Sequence, residues 1–225
     1  MKLLVDDADV AVIKRIVEYY PVDGVTTNPT ILAQSGRPPY EVLREIRSLI
    51  GSDRELHVQV TATQAEGMMA DARRIQQELG QNTYIKVPAV EEGFKAMREL
   101  AAQGVNITAT AIYTPLQAYL AAKCGAKYAA PYVNRIDNLG YNGIQVTKDI
   151  QAIFARNGYA AEVLAASFKN SQQVLELCQY GVGAATLAGN ILLGLVKNAA
   201  IDAAVAAFNE DFARLAGPGI TMEQA

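Results

Sequence analysis

Lys86 sits inside Tyr84-Ile85-Lys86-Val87-Pro88, a short β-branched run whose centre should be apolar. An ammonium has no business in a strand centre unless it is used. Desolvation disfavours the charged form and lowers its pKa, which leaves a neutral amine able to attack a carbonyl carbon. Lys2 and Lys127 fall at strand starts and Lys169 just past a strand end, so Lys86 alone has this setting among strand lysines. A buried lysine neutralised by Asp6 for stability is the competing reading, and the two coexist if Asp6 positions a reactive amine.

A Schiff-base lysine performs aldol-type chemistry, because the iminium withdraws electrons and stabilises the carbanion left by carbon–carbon cleavage. Such a reaction needs a proton carrier. Tyr132 is the candidate, acting directly or through a water held by Gln59 and Thr110. A core aromatic near a strand end is the alternative reading for a chain with 11 tyrosines. Arg135 lies in Tyr132-Val133-Asn134-Arg135-Ile136-Asp137, expected to open a long polar loop containing Gly140 and Gly143. Its planar fork suits phosphate, and Ser167 follows the seventh strand, where barrels often bind phosphate. A local ion pair with Asp137 is the alternative for Arg135.

These residues need a scaffold that brings distant strand ends together. Hydrophobic periodicity switches repeatedly between two and 3.6 along the chain, and strands are expected to begin near Lys2, Val22, Leu56, Thr83, Asn106, Lys127, Ala161 and Ala184. Every interval is long enough for a crossover helix. Thr63 and Glu66 read as a capping box before a face of Ala65, Met68, Met69, Ala72, Ile75 and Leu79. Thr114 precedes Pro115 as a natural N-cap, and Asn170 or Ser171 can cap a helix burying Val174, Leu177 and Cys178. Eight consecutive βα units argue for a (β/α)8 TIM barrel spanning residues 1–225 as a single domain. The rival doubly wound sheet usually has a glycine-rich turn after its first strand, and Val5-Asp6-Asp7-Ala8-Asp9 has none. Beyond the eighth unit, Ile201, Ala204, Val205, Phe208, Phe212 and Leu215 form one apolar stripe; this extra C-terminal helix must cover its own barrel or a neighbouring subunit.

Read to their ends, the strands deliver Asp6, then Thr26, Thr27 and Asn28, then Gln59 and Thr61, Lys86, Thr108 and Thr110, Tyr132, Asn134 and Arg135, and Ser167. In a barrel all of these reach one rim.

Composition narrows the partners. A chain of 225 residues, 51% apolar and 19% charged, can bury a full core. Its net charge of -3 offers no basic surface for a nucleic acid. The apolar run from Ile191 to Phe208 is broken by Lys197, Asn198 and Asp202, so no membrane span is expected, and the N-terminus lacks a secretory apolar run. A cytoplasmic address follows. Cys124, Cys178 and the single His57 have no ligand spacing, so no metal is expected.

Four segments carry a resemblance: Thr26-Thr27-Asn28-Pro29-Thr30, Ile85-Lys86-Val87-Pro88, Ala130-Pro131-Tyr132-Val133-Asn134-Arg135-Ile136-Asp137 and Ala165-Ala166-Ser167-Phe168-Lys169. Together they resemble the small transaldolases and fructose-6-phosphate aldolases, in order and over essentially the whole chain. The resemblance implies a (β/α)8 class I aldolase without metal or other cofactor, the covalent Schiff base forming on Lys86. It implies that Asp6 and Asn28, beside Thr26, orient substrate hydroxyls and the amine, and that Arg135 and Ser167, near Asn134, hold the phosphate. Classical transaldolases carry Glu and Phe where this chain has Gln59 and Tyr132; the free aldolases carry Gln and Tyr there and keep the threonine matching Thr110. On that basis the resemblance implies cleavage and formation of fructose 6-phosphate from dihydroxyacetone and glyceraldehyde 3-phosphate. The alternatives are a transaldolase moving a dihydroxyacetone unit between sugar phosphates, a related sulfosugar enzyme, and a non-catalytic barrel that binds sugar phosphates. The family branch also implies a homo-oligomer, a decamer built from pentamers, with the last helix crossing to a neighbour. One departure stands at Thr186-Leu187-Ala188-Gly189-Asn190, where a proline often follows the eighth strand; acceptor preference is the property it touches.

Overall fold

The β-branched runs become eight parallel strands in chain order: β1 (Lys2–Asp6), β2 (Gly24–Thr26), β3 (Glu55–Gln59), β4 (Tyr84–Pro88), β5 (Ile107–Ile112), β6 (Tyr128–Pro131), β7 (Glu162–Ala165) and β8 (Ala184–Leu187). The computed structural model describes residues 1–225, and in it β8 pairs back onto β1 to close the barrel. Closure leaves no open strand edge, so every strand finds two partners. A (β/α)8 TIM barrel is therefore the fold, as the alternating periodicity requires.

Amphipathic segments between strands become α1 (Val10–Tyr19), α2 (Pro29–Gln34), α3 (Pro39–Ile50), α4 (Ala65–Leu79), α5 (Glu91–Ala102), α6 (Pro115–Lys123), α7 (Val133–Asp137), α8 (Gly143–Asn157), α9 (Ser171–Tyr180), α10 (Gly189–Gly194) and α11 (Ala199–Ala216). Two short helices, α2 and α7, are additions to the expected set, and α10 is the short helix of the eighth unit. Side-chain caps start many of them: Asp9 accepts from Ala11 N and Val12 N, and Asn142 and Asn170 each accept from the backbone N–H three residues on. Thr114 does so within a full capping box with Gln117, and Pro115 follows at the first helical position. The buried faces of α3 (Val42, Leu43, Ile46, Ile50) and α4 (Ala65, Met68, Ala72, Ile75, Leu79) show how the shell is held, each large aliphatic side chain contributing roughly 1.5–3 kcal/mol by leaving water.

Several local expectations need correcting. The Thr63–Glu66 capping box does not form: Glu66 pairs with Lys95 of α5 at 2.6 Å, and Glu92 of α5 accepts from Ala65 N at 2.9 Å. An interhelix carboxylate thus replaces the local cap. Cys178 is exposed rather than buried with Val174 and Leu177. Arg135 lies in the helical turn α7, not in a loop, and Asp137 is taken by Gly143 N at 2.7 Å and Gln173 Nε2 at 2.7 Å instead of by Arg135.

Two compact units divide the chain, Met1–Leu192 and Leu193–Ala225. The first contains the barrel. The second contains α11, capped by Asn198, whose side chain accepts from Ala200 N at 2.9 Å; none of its residues is buried, and Ile201, Val205, Phe208 and Leu215 are exposed. No helix is long and apolar enough to cross a membrane.

Candidate active site

At the C-terminal ends of the strands a cavity of about 170 Å³ is lined by eight of the ten residues singled out from sequence: Asp6, Thr26, Asn28, Lys86, Thr110, Tyr132, Arg135 and Ser167. They come from β1, β2, β4, β5 and the segments after β2, β6 and β7, and only ring closure makes them neighbours. Gln59 and Asn134 do not line it. Gln59 ends β3 and lines adjoining grooves with Pro29 and Thr61, while Asn134 donates its backbone N–H to Ser167 O at 2.8 Å and so ties α7 to the β7 end.

Lys86 is 6% exposed, and its Nζ donates to Thr27 O at 2.6 Å. The partner is a backbone carbonyl, so the competing picture of a lysine paired with the Asp6 carboxylate is not what forms. Burial pushes the Lys86 ammonium below the ordinary lysine range; Asp6 opposes this and Arg135 adds to it. Burial likewise raises the Asp6 carboxyl, against the stabilising charge of Lys86 and the Thr26 hydrogen bond. Burial drives both groups toward their neutral forms. Thr26 Oγ1 donates to Asp6 Oδ1 at 2.6 Å and lies 2.7 Å from Thr186 Oγ1. Since the Thr26 proton is already used, Thr186 is the donor in that second bond.

Tyr132 is boxed in. Its hydroxyl lies 2.8 Å from Thr110 Oγ1, the Arg135 guanidinium stands 4.6 Å from its ring centroid, and the Tyr113 ring meets it edge-on at 5.6 Å. A phenol held this way has one orientation to offer a ligand. Asn28 caps α2 through Oδ1, which accepts from Ile31 N at 3.0 Å; its amide N–H2 is the end left for a ligand. Ser167 takes φ 61°, and Ala111, directly after Thr110, takes φ 56°. Left-handed non-glycine residues each cost on the order of 1–3 kcal/mol; Ser167 lines the cavity and Ala111 follows Thr110, which does, so the strain is stored at or next to the site.

Sequence reading missed Thr186 and Thr30 on the cavity wall. Thr186 had a usable signal: it is the polar residue near the end of β8, so the eighth strand contributes like most of the others. Thr30 follows Pro29 in α2 and carries no comparable mark.

The pattern of the family described as Transaldolase/Fructose-6-phosphate aldolase matches residues 3–225. The chain belongs to that family. It is 37% identical to a protein of Geotalea daltonii named probable transaldolase, over 96% of this chain and 99% of that one. A probable transaldolase of Hydrogenobaculum sp. is 34% identical over 96% and 98% of the two chains, and one of Citrifermentans bemidjiense 37% over 96% and 99%. The transaldolase/aldolase family accounts for the barrel and for an enzyme with a cavity at the C-terminal strand ends, the face where barrels carry their chemistry.

Proposed function

We propose that the chain is a class I enzyme that breaks and makes a ketose carbon–carbon bond through a Schiff base on Lys86. The observation that carries this reading is a 6%-exposed lysine, with its pKa lowered by burial, on the wall of a polar cavity that also holds Arg135 and Ser167. The neutral amine adds to the ketone carbon of a ketose phosphate and expels water as the iminium forms. Asp6, Thr26 and Asn28 orient the hydroxyls. Tyr132, having given its proton to the departing water, takes the proton of the departing fragment's hydroxyl, directly or through a water, as the carbon–carbon bond breaks; an aldose phosphate leaves, and the electron pair rests in an enamine on Lys86. Arg135 and Ser167 take the phosphate end, and no metal or separate cofactor enters any step. A sulfonated ketose meets the same Arg135 chemistry.

The fate of the enamine separates two readings. The Tyr132–Thr110 pair favours release: a proton delivered to the enamine carbon, followed by water, frees dihydroxyacetone and returns the amine, which is fructose-6-phosphate aldolase behaviour. The names of the relatives favour transfer, in which an aldose phosphate captures the enamine instead. Borohydride treatment with dihydroxyacetone is expected to add one three-carbon unit at Lys86 and none in Lys86→Met. If the unsubstituted protein gains no mass, the barrel binds without catalysing. On the same sample, free dihydroxyacetone formed from fructose 6-phosphate without acceptor supports the aldolase, whereas strict dependence on an added aldose phosphate assigns the transaldolase.

The exposed apolar stripe of α11 supports a homo-oligomer, decamer or pentamer, in a cytoplasmic enzyme of sugar-phosphate metabolism. Phe208→Asp is expected to lower the mass seen by light scattering to that of a smaller species; an unchanged mass assigns the stripe elsewhere.

A further inference from the structure

Gln117, in the first turn of α6, fastens the backbone at the end of β5, the strand beside Tyr132. Its Nε2 donates to Ala89 O at 3.0 Å and Ala111 O at 3.3 Å, and its Oε1 accepts from Tyr113 N at 3.0 Å and Thr114 N at 3.2 Å. One amide thus binds the end of β4 to the end of β5. The strand it grips is irregular: the β5–β6 register shifts between Ala109 and Ile112, and Ala111 is left-handed at φ 56°. A bulge re-aims the side chain beside it, and a non-glycine residue stays in that conformation only when its surroundings hold it there.

The side chain beside this bulge is Thr110, whose Oγ1 lies 2.8 Å from the Tyr132 hydroxyl. On the other side of the bulge, Tyr113, whose N–H Gln117 holds, sets its ring edge-on against Tyr132. We infer that Gln117 is a positioning residue for Tyr132, fixing the β5 bulge and the Tyr113 ring so that the phenol is held at the angle from which it exchanges a proton with the enamine on Lys86. The inference rests on the Schiff-base reading above. Gln117 itself touches no substrate.

Deuterium exchange isolates the step. The Lys86 amine condenses with dihydroxyacetone, Tyr132 giving its phenolic proton to the departing water; the phenolate then takes a proton from the adjacent hydroxymethyl carbon, which leaves the enamine and the neutral phenol. It then returns a deuteron acquired from heavy water, and hydrolysis of the iminium consumes a water and frees labelled ketone. Gln117→Met keeps the volume and removes every side-chain hydrogen bond, including the one its Oε1 accepts from Thr114 Oγ1 at 3.4 Å. Its exchange rate is expected to fall about tenfold, a modest part of the ~10²–10⁴-fold a positioned proton carrier contributes. Its borohydride adduct at Lys86 should stay within about twofold, because a transition-state interaction is lost while binding is not. Tyr113→Leu, which removes only the ring contact, should slow exchange in the same direction and serves if Gln117→Met does not fold. Unchanged exchange in the folded variants overturns the inference, as does a parallel loss of exchange and adduct, which marks a general structural role. An unsubstituted protein that forms no adduct overturns the Schiff-base reading itself.

Discussion

The charges around Lys86 set the pH at which its amine is free. Arg135 lowers the Lys86 pKa and Asp6 raises it, with burial the largest influence. Removing each charge must therefore move the acid limb of kcat/KM in opposite directions. Arg135→Gln takes away a cation, eases protonation of Lys86 and is expected to move the limb to higher pH. Asp6→Asn takes away an anion and is expected to move it lower. A pH profile of kcat/KM for each variant reads the two signs separately from any loss of rate, and shifts in the same direction would contradict this electrostatic picture.

Lys86 depends for its position on the helix that packs against the end of its strand. Gly93, in α5, lies so close to β4 that a β-carbon there would overlap the Pro88 carbonyl oxygen. Backbone cannot yield as a flexible side chain does. Gly93→Ala is expected to cost about 1–3 kcal/mol in urea unfolding, the usual range for forcing atoms into a packed contact. It should also lower activity, because the displaced strand carries Lys86 two residues before Pro88. A variant of unchanged stability would show that α5 can slide without β4. The interhelix bonds Glu66–Lys95 and Glu92–Ala65 N join α5 to α4 at this same end. They account for the absent local cap: the carboxylate the capping box needs is pulled to a neighbouring helix.

The whole barrel is closed at its other end by a polar plug. Lys2 bonds Glu55 at 2.6 Å and Tyr128 at 2.8 Å; His57 Nε2 lies 3.1 Å from Glu55, His57 Nδ1 lies 2.9 Å from Thr108 Oγ1, and Tyr84 stacks on the imidazole at 4.5 Å. An ionised carboxylate only accepts, so Nε2 carries the proton and Thr108 donates to Nδ1. Burial lowers His57 from 6.5 to about 4 despite the opposing pull of Glu55. Burial also works to raise Glu55, but the hydrogen bonds from His57 and Lys2 outweigh it and leave the carboxyl at about 2. Between pH 6.5 and about 4 the unfolded chain binds the His57 proton and the folded chain does not, so stability falls as pH falls through that window. The loss attributable to His57 is on the order of 3 kcal/mol once both states are protonated. Glu55 acts lower, its contribution fading from 4.5 toward about 2. His57→Phe, which keeps a ring against Tyr84, is expected to flatten the upper part of this slope in urea unfolding measured across pH. A slope that survives the substitution would assign the acid sensitivity to another group.

Much of this was readable without coordinates, because strand parity and helical period are local properties. A lysine in the centre of an apolar run, eight alternations of period and Thr114 before Pro115 each follow from residues a few positions apart. Gln117 and the Lys86–Thr27 bond were not legible, since each takes its meaning from groups tens of residues away or from a strained bulge that no propensity marks. Gln59 and Asn134 show the converse: both sit at the right place in the pattern, yet neither reaches the cavity wall. The sequence alone determined the order of elements and which side chains stand at strand ends. The tertiary structure decided which of those ends converge, because the distance between polar groups on different strands depends on ladder register and ring closure, which are set by packing of the whole barrel and not by any one segment.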